Sequence, residues 1–381
     1  MDFKYSEEQL MVRDTIREFA LAELAPGAAE RDEKEIFPRD AIMKLGELGF
    51  MGVNVPTELG GSGLDMVSYC IAIEELARVD ASAAIIVSVQ NSLVVYPCEV
   101  FANDDQKERF LKPLAQGKKL GAFSLTEPGS GSDAGAMKTT AFKDGDYYIL
   151  NGAKNFITTG ANCDVLLSFV VTDPKKGSKG TSAFLVEKGT AGFVVGKHER
   201  KLGIRGSDTV SISFEDCRVP AANMLGGEGM GFKIALTALD SGRVGVASQA
   251  LGIAQACLDE SVKYSKERKQ FGRTIASFQA IRFKIARMAM EIQAARLLLH
   301  YAASKKDDHE RFIKEAAIAK LYCSEVAVRS ALEAIQIHGG YGYIKEYPVE
   351  RYLRDSKITT IYEGTNEIMH LVIAEQVLGR D

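Results

Sequence analysis

An α+β multidomain fold is what this 381-residue sequence predicts, and three observations carry the prediction. Apolar residues recur at helical spacing through residues 1–119; strand-like alternation takes over across 120–226; Ala/Leu/Met-rich helical runs return over 227–381. The length allows two or three domains with a sizeable core. A helix–sheet–helix order in one chain favours a binding site where the helices meet the sheet.

Taking the elements in order, Ser6-Glu7-Glu8-Gln9 reads as a capping box, and Val12, Ile16 and Phe19 follow on one helical face. Pro26-Gly27 is expected to end that helix. A second helix is expected over 39–48, then a glycine-rich loop from Val55 to Gly63, then apolar helices over 66–79 and 83–101. In the β block, Tyr147-Tyr148-Ile149-Leu150 runs into Asn151-Gly152, which predicts a hairpin turn. Short β-rich runs follow at 165–171, 183–186 and 193–195. Val210, Ile212 and Phe214 alternate with Thr209, Ser211 and Ser213, as in a half-buried strand. After Gly226-Gly227-Glu228-Gly229, helical stretches cover 232–268, 278–304 and 310–337, and Gly339-Gly340-Tyr341-Gly342 interrupts them.

Bulk properties exclude several function classes. Net charge is −4, so the chain lacks the basic footprint of a nucleic-acid binder. No run of about 18 apolar residues appears, so no membrane span is expected. The first residues carry no signal-peptide core and no Arg/Ser-rich transit segment, which points to the cytoplasm; a processed mitochondrial matrix protein has the same look. The six cysteines are scattered without a C-x-x-C pair, and the five histidines lack ligand spacing, so no metal site is expected.

Several segments can carry chemistry. Glu363 lies in Ile361-Tyr362-Glu363-Gly364-Thr365, behind an apolar-aromatic pair. A carboxylate held there resists ionisation, which suits a general base near neutral pH; taken alone, the surface loop residue is the better explanation. The 123–133 segment runs from a strand-like start into the small residues of Gly129-Ser130-Gly131-Ser132, whose backbone N–H groups can approach a ring edge or phosphate closely. Gly129-x-Gly131-x-x-Ala134 matches a loose dinucleotide fingerprint, but no helix of a βαβ unit follows, which leaves an NAD-dependent reading poorly supported. Phe156-Ile157-Thr158 reads as strand core or as the flank of a flat ring system. Asp240 and Arg243 share a helix face and can pair. Arg268-Lys269-Gln270-Phe271-Gly272-Arg273 reads as a solvated helix end or a diphosphate clamp.

Taken together, these segments resemble the acyl-CoA dehydrogenase family, in particular its short-chain, butyryl-CoA dehydrogenase-like branch, over essentially the whole chain. The matching motifs are Val55-Pro56-x-Glu58-x-Gly60-Gly61, Thr126-Glu127-Pro128-Gly129-x-Gly131-Ser132-Asp133, Phe156-Ile157-Thr158, Lys201-Leu202-Gly203-Ile204-Arg205-Gly206-Ser207, Glu267-Arg268-Lys269-x-Phe271-Gly272, Gln336-x-x-Gly339-Gly340 and Tyr362-Glu363-Gly364-Thr365. The resemblance implies a helical N-terminal domain (1–119), a β-barrel-like middle domain (120–226) and a C-terminal four-helix-bundle domain (227–381). It implies FAD in a homotetramer. By that resemblance Phe123, Leu125, Thr126, Gly131 and Ser132, with Phe156, Ile157 and Thr158, contact the flavin ring. Arg268, Phe271, Gln279, Gln336, Gly339 and Gly340 serve the adenine-diphosphate end across a subunit interface, while Thr365, Asn366 and Glu367 line the loop beside Glu363. Ser132, Asp240, Arg243 and Gly364 contact the acyl-CoA.

The chemistry implied by the resemblance is α,β-dehydrogenation. Glu363 takes the pro-R α-proton of a thioester while the β-hydride passes to flavin N5, the Glu363 backbone N–H and a ribityl hydroxyl stabilise the enolate-like oxygen, and a trans-2-enoyl-CoA leaves. Electron-transferring flavoprotein then reoxidises the flavin. Branched or cyclic acyl groups, or operation as an enoyl-CoA reductase, are the alternatives within the same chemistry; a non-catalytic scaffold is disfavoured by the intact Glu363. Three departures bear on the cofactor site and the branch. Phe156 stands where many relatives have Trp. Gly242 stands where the isovaleryl-type and long-chain branches carry their base. Residues 83–89 lack the Arg with which glutaryl-CoA dehydrogenases hold a second carboxylate.

Overall fold

Ser6 opens the first helix as a reciprocal cap: its hydroxyl accepts from Gln9 N while Gln9 Oε1 accepts from Ser6 N. The computed structural model describes residues 4–379. Helix α1 (Glu7–Phe19) buries Val12, Ile16 and Phe19. Pro26-Gly27 does not end the helical path, contrary to expectation. The chain passes through a π turn (Ala20–Leu24) and a 3₁₀ turn (Ala25–Gly27) into α2 (Ala28–Lys34). Pro26 falls in the first turn of the 3₁₀ segment, where its missing N–H has no partner to lose. Termination comes at Glu35, in the left-handed region at φ 57°.

Helix α3 (Arg39–Glu47) is followed by α4 (Met66–Ala77) and α5 (Ala81–Ser88), which runs through a π turn (Val89–Val95) into α6 (Tyr96–Phe101). Asp65 and Asp80 cap α4 and α5 with their carboxylates. Ala81–Phe101 is long and apolar enough by composition to cross a membrane, but 78% of its apolar window is buried inside the protein.

The middle of the chain forms one eight-stranded sheet of β1 (Gly121–Ser124), β2 (Thr140–Asp144), β3 (Tyr147–Thr158), β4 (Val165–Val171), β5 (Thr181–Glu187), β6 (Phe193–His198), β7 (Thr209–Pro220) and β8 (Met224–Leu225). Its order is β6-β7-β3-β2-β4-β5-β8, and β1 pairs with β4 in parallel. Val210, Ile212 and Phe214 face the core, as their alternation predicts. The hairpin expected at Asn151-Gly152 lies elsewhere. β3 runs straight through those residues, and the turn between β2 and β3 is Gly145-Asp146, with Gly145 at φ 58°. Asn151-Gly152 instead marks a register shift against β7, and the Asn151 side chain bonds Asp216 across the strands. Gly145-Asp146 carries a two-residue turn signal of its own, and the tertiary pairing decides between the two.

Beyond the sheet the long helices are α7 (Gly231–Glu267), α8 (Gln279–Asp307), α9 (Ile313–His338), α10 (Val349–Ile358) and α11 (Asn366–Leu378). α7 is the central element: every residue from Ser241 to Ala254 is buried, as in a helix surrounded by protein. Glycines let its neighbours approach. A Cβ on Gly245 meets Ser88 Oγ at 2.2 Å and Tyr69 Oη at 2.5 Å. One apolar core therefore runs through the N- and C-terminal helices, and a second joins α6 to the sheet.

Candidate active site

Glu363 sits in the turn between α10 and α11. Its φ is 55° and that of Gly364 is 97°. A non-glycine residue in the left-handed region carries a conformational cost that the surrounding structure has to hold. The neighbours supply that hold. Tyr362 Oη donates to Gln249 Oε1 on α7, and Gln249 Nε2 donates to Ala81 O at 2.8 Å. Lys320 Nζ on α9 donates to Gly364 O at 2.8 Å and to Asn366 Oδ1 at 2.9 Å.

The carboxylate points at α7. A Cβ built on Gly242 falls 1.8 Å from Glu363 Oε2, 2.8 Å from its Cδ and 2.8 Å from Leu93 Cδ2. A residue other than glycine at 242 thus collides with the acid, so positions 242 and 363 converge on one point in space. Although Glu363 as a residue is half-buried, its Oε2 is closed off from solvent and has no hydrogen-bond partner among the described residues. Two buried cations stand nearby. Arg243 pairs with Asp240 at 2.6 Å and leaves its Nε unpartnered, and Lys320 faces Glu363 from the opposite helix. Burial pushes the Glu363 carboxyl up to about 8, against the pull of Arg243 and Lys320.

The sign of the resulting pH dependence is fixed. The acid is protonated at neutral pH and becomes a base as pH rises, so kcat/KM for a reaction it initiates should climb about tenfold per unit up to a limb near 8. For the fold the same raised pKa works the other way: stability held below pH 4.5 is lost as pH rises through about 8. A pH–rate profile that is flat from 6 to 9 contradicts this.

A second group comes from the sheet. The 123–133 loop leaves β1 and is tied to β3 by Asn155 N donating to Thr126 O at 2.8 Å. Beneath it, Lys154 and Glu127 form a buried ion pair at 2.8 Å. Burial works against the Glu127 charge, but Lys154 and the N–H groups of Lys138 and Thr139 hold its pKa below the usual range. Replacing Lys154 by Met strands the carboxylate, and should cost about 3 kcal/mol, read as a lower midpoint in urea; an unshifted midpoint refutes the anchoring role. Gly129 and Gly131 face open space, and Ser132 is exposed.

Next to the loop the two readings of Phe156-Ile157 separate. Ile157 is 1% exposed and packs in the sheet core, leaving only its backbone to face a ligand, as Leu125 does in the second core. Phe156 is 61% exposed with φ 58°, at a second register shift against β7 that turns its ring out of the sheet. Strand periodicity alone does not show such a bulge.

The third group lies at the far end of α7. Arg268 caps that helix, 25 residues after Arg243, or about 37 Å along the axis. Arg268, Gly339 and Gly340 line a cavity of about 540 Å³ with Tyr264, His338 and Tyr341. The turn from 269 to 274 is a small ribbon, β9 (Lys269–Gln270) and β10 (Arg273–Thr274), with Phe271 91% exposed at its tip. Gln279 and Gln336 are exposed on neighbouring helices. Thr365 caps α11 through Ile368 N, Asn366 is engaged by Lys320 and Ser324, and Glu367 is exposed. Sequence reasoning missed Lys320, Gln249, Tyr264 and the Lys154–Glu127 pair. His338, stacked on Tyr264 at 4.2 Å, stood inside the Gln336–Gly340 motif but was not singled out. Among the described residues, no His/Cys/Asp/Glu cluster suited to a metal occurs.

Comparison with known proteins places this architecture. Family models described as the N-terminal, middle and C-terminal domains of acyl-CoA dehydrogenase match residues 6–118, 122–217 and 229–378. An acyl-CoA dehydrogenase of Bacillus subtilis is 51% identical over 377 residues, covering 98% of this chain and 99% of the relative. The butyryl-CoA dehydrogenase structure from Megasphaera elsdenii superposes with a TM-score of 0.98 at 49% identity, covering 99% of this chain and 100% of the other. A chain of a structure described as the electron transferring flavoprotein of Acidaminococcus fermentans, in a study of electron bifurcation, gives a TM-score of 0.99 at 50% identity, with full coverage of both chains.

Proposed function

The chain belongs to the acyl-CoA dehydrogenase family of flavin-linked oxidoreductases, and we propose that it converts a short-chain acyl-CoA to the trans-2-enoyl-CoA with Glu363 as the general base. The observation that carries this is the Glu363 carboxyl, whose Oε2 is unpartnered among the described residues, set against Gly242 and flanked by two cations.

The residues present fit FAD. The exposed Phe156 ring, beside a loop whose Gly129 and Gly131 face open space, suits a flat isoalloxazine, and the open cavity at Arg268, Gly339 and Gly340 suits a diphosphate and a stacked base. Phe123, Leu125, Thr126, Gly131, Ser132, Phe156, Ile157 and Thr158 would hold the ring end; Arg268, Phe271, Gln279, Gln336, Gly339 and Gly340 would hold the adenine-diphosphate end; Thr365, Asn366 and Glu367 complete the loop beside Glu363. When bound, FAD supplies the hydride-accepting chemistry. Because Arg268 lies about 37 Å along α7 from Arg243, whose neighbour Gly242 meets Glu363, the adenine end is assigned to a second subunit of a homotetramer. Phe283, Met290 and Leu297, exposed at seven-residue intervals on α8, support such contacts.

The chain's own part is to bind, orient and deprotonate. Ser132, Asp240, Arg243 and Gly364 are the acyl-CoA contacts in this reading. Glu363 takes the α-proton onto its carboxylate, and its backbone N–H faces the thioester oxygen. Along α7, Gly242 and Gln249 are seven residues apart, on one face and about 10 Å from each other. Gln249 is buried and held by Tyr362 and Ala81; the short acyl group is supported by the likeness to the butyryl-CoA dehydrogenase of Megasphaera elsdenii. Electron-transferring flavoprotein is the proposed acceptor, supported by the likeness to the Acidaminococcus fermentans structure. A thioester panel from C4 to C8, with cyclohexanecarboxyl-CoA, tests the reading: kcat/KM should be greatest at C4, and a preference for C8 or the ring overturns the short-chain assignment.

A further inference from the structure

We propose that Lys320 is the positioning residue of the Glu363 base: from inside α9 it holds the 362–366 turn in its left-handed bend, and its ammonium provides the positive charge that keeps the Glu363 carboxylate available. The proposal rests on Glu363 being the base.

The geometry is specific. Lys320 is 0% exposed, and burying an ammonium is costly unless its protons are used. Both of its hydrogen bonds go to this turn, one to the carbonyl of the residue after Glu363 and one to Asn366 Oδ1, the first residue of α11. Asn366 Oδ1 also accepts from Ser324 Oγ, one helical turn further along α9. On the other side Tyr362 is fixed to Gln249 of α7. Glu363 thus hangs between two anchored neighbours at φ 55°, a conformation that the turn relaxes out of when either anchor is released. An apolar residue would fill the space between α9 and the turn at lower desolvation cost, but it would take the Lys320 donor from Gly364 O and leave Asn366 Oδ1 with Ser324 Oγ.

The charge has a separate effect. The ionisable groups facing Glu363 are Arg243 on α7, Lys320 on α9, Tyr69 on α4 and its own neighbour Tyr362, with Glu367 on α11 close to Lys320. Arg243 exerts the larger pull on Glu363 but shares its charge with Asp240, and burial keeps both tyrosines neutral. Among the described residues Lys320 is therefore the cation near Glu363 without a carboxylate in salt-bridge contact; burial draws its own pKa down to about 8 while Glu363 holds it up, so the charge is present at pH 7, and removing it leaves the base harder to ionise.

The test compares Lys320→Met and Lys320→Arg in the flavin-loaded full chain. With Met, the acid limb of kcat/KM should move up by about one pH unit, and at pH 7 kcat should fall about tenfold with KM for butyryl-CoA changed less than about threefold. Backbone hydrogen exchange across 359–368 should quicken with Met. Arg should return both readouts toward wild type. If the Met variant does not fold, Lys320→Gln keeps a donor without charge, and the limb should still move. An unmoved limb, or unchanged exchange with Met, overturns the proposal. A wild type that turns over no thioester instead refutes the functional reading, while the exchange comparison still decides whether Lys320 holds the turn.

Discussion

Replacing Glu363 by Gln is expected to lower turnover of butyryl-CoA by at least ~10²-fold and to leave the protein yellow. Gln preserves the shape of the side chain and removes the basic oxygen. Its effect on stability should be small, because burial already keeps the Glu363 carboxyl mostly protonated at neutral pH. The flavin-contact residues proposed in the 123–133 loop and at Phe156 belong to the sheet and its loop, so cofactor content should not change. Flavin-to-protein ratio, melting temperature and steady-state kcat/KM together separate a lost base from a lost fold. A variant that retains its flavin and turns over within tenfold of wild type is incompatible with Glu363 as the base.

Gly242→Ala should be nearly as damaging, for a steric reason. The added methyl meets Glu363 Oε2 at 1.8 Å and Leu93 Cδ2 at 2.8 Å, so the carboxyl has to swing away from the point at which it now rests. A displacement on the order of 1 Å at a reacting group can cost ~10²-fold in rate. Helix propensity runs the other way, since Ala in a helix interior is favoured over Gly by up to ~1 kcal/mol. Activity should therefore fall about 10²-fold, with thermal stability reduced by far less than a collapse of α7 requires. Unchanged kcat/KM in a well-folded Gly242→Ala variant contradicts the contact between these two positions.

The helix–sheet–helix order, the short strands and the Glu363 address were legible in the sequence because each rests on local pattern: a capping box, alternation, an apolar-aromatic pair before a glycine. What escaped depended on distant packing. Lys320 sits in an amphipathic run and looks like any solvated lysine until α11, more than forty residues later, folds over it and covers its ammonium. Phe156 follows strand spacing, yet a bulge against β7 turns it outward while Ile157 stays in the core. Asn151-Gly152 carries a turn signal as strong as Gly145-Asp146, and only the pairing of β2 with β3 and of β3 with β7 shows which pair turns the chain. The glycine at 242 was legible as a missing base; that its absent side chain is the space occupied by the Glu363 carboxyl is a fact of three dimensions.

The central claim is that Glu363 moves the α-proton of a thioester, and exchange of that proton with solvent tests it most directly. Butyryl-CoA incubated anaerobically with the wild-type enzyme in D₂O should acquire deuterium at Cα, read by mass spectrometry, and with Glu363→Gln it should acquire none above the enzyme-free control. Deuterium uptake by the Gln variant at the wild-type rate would contradict the account.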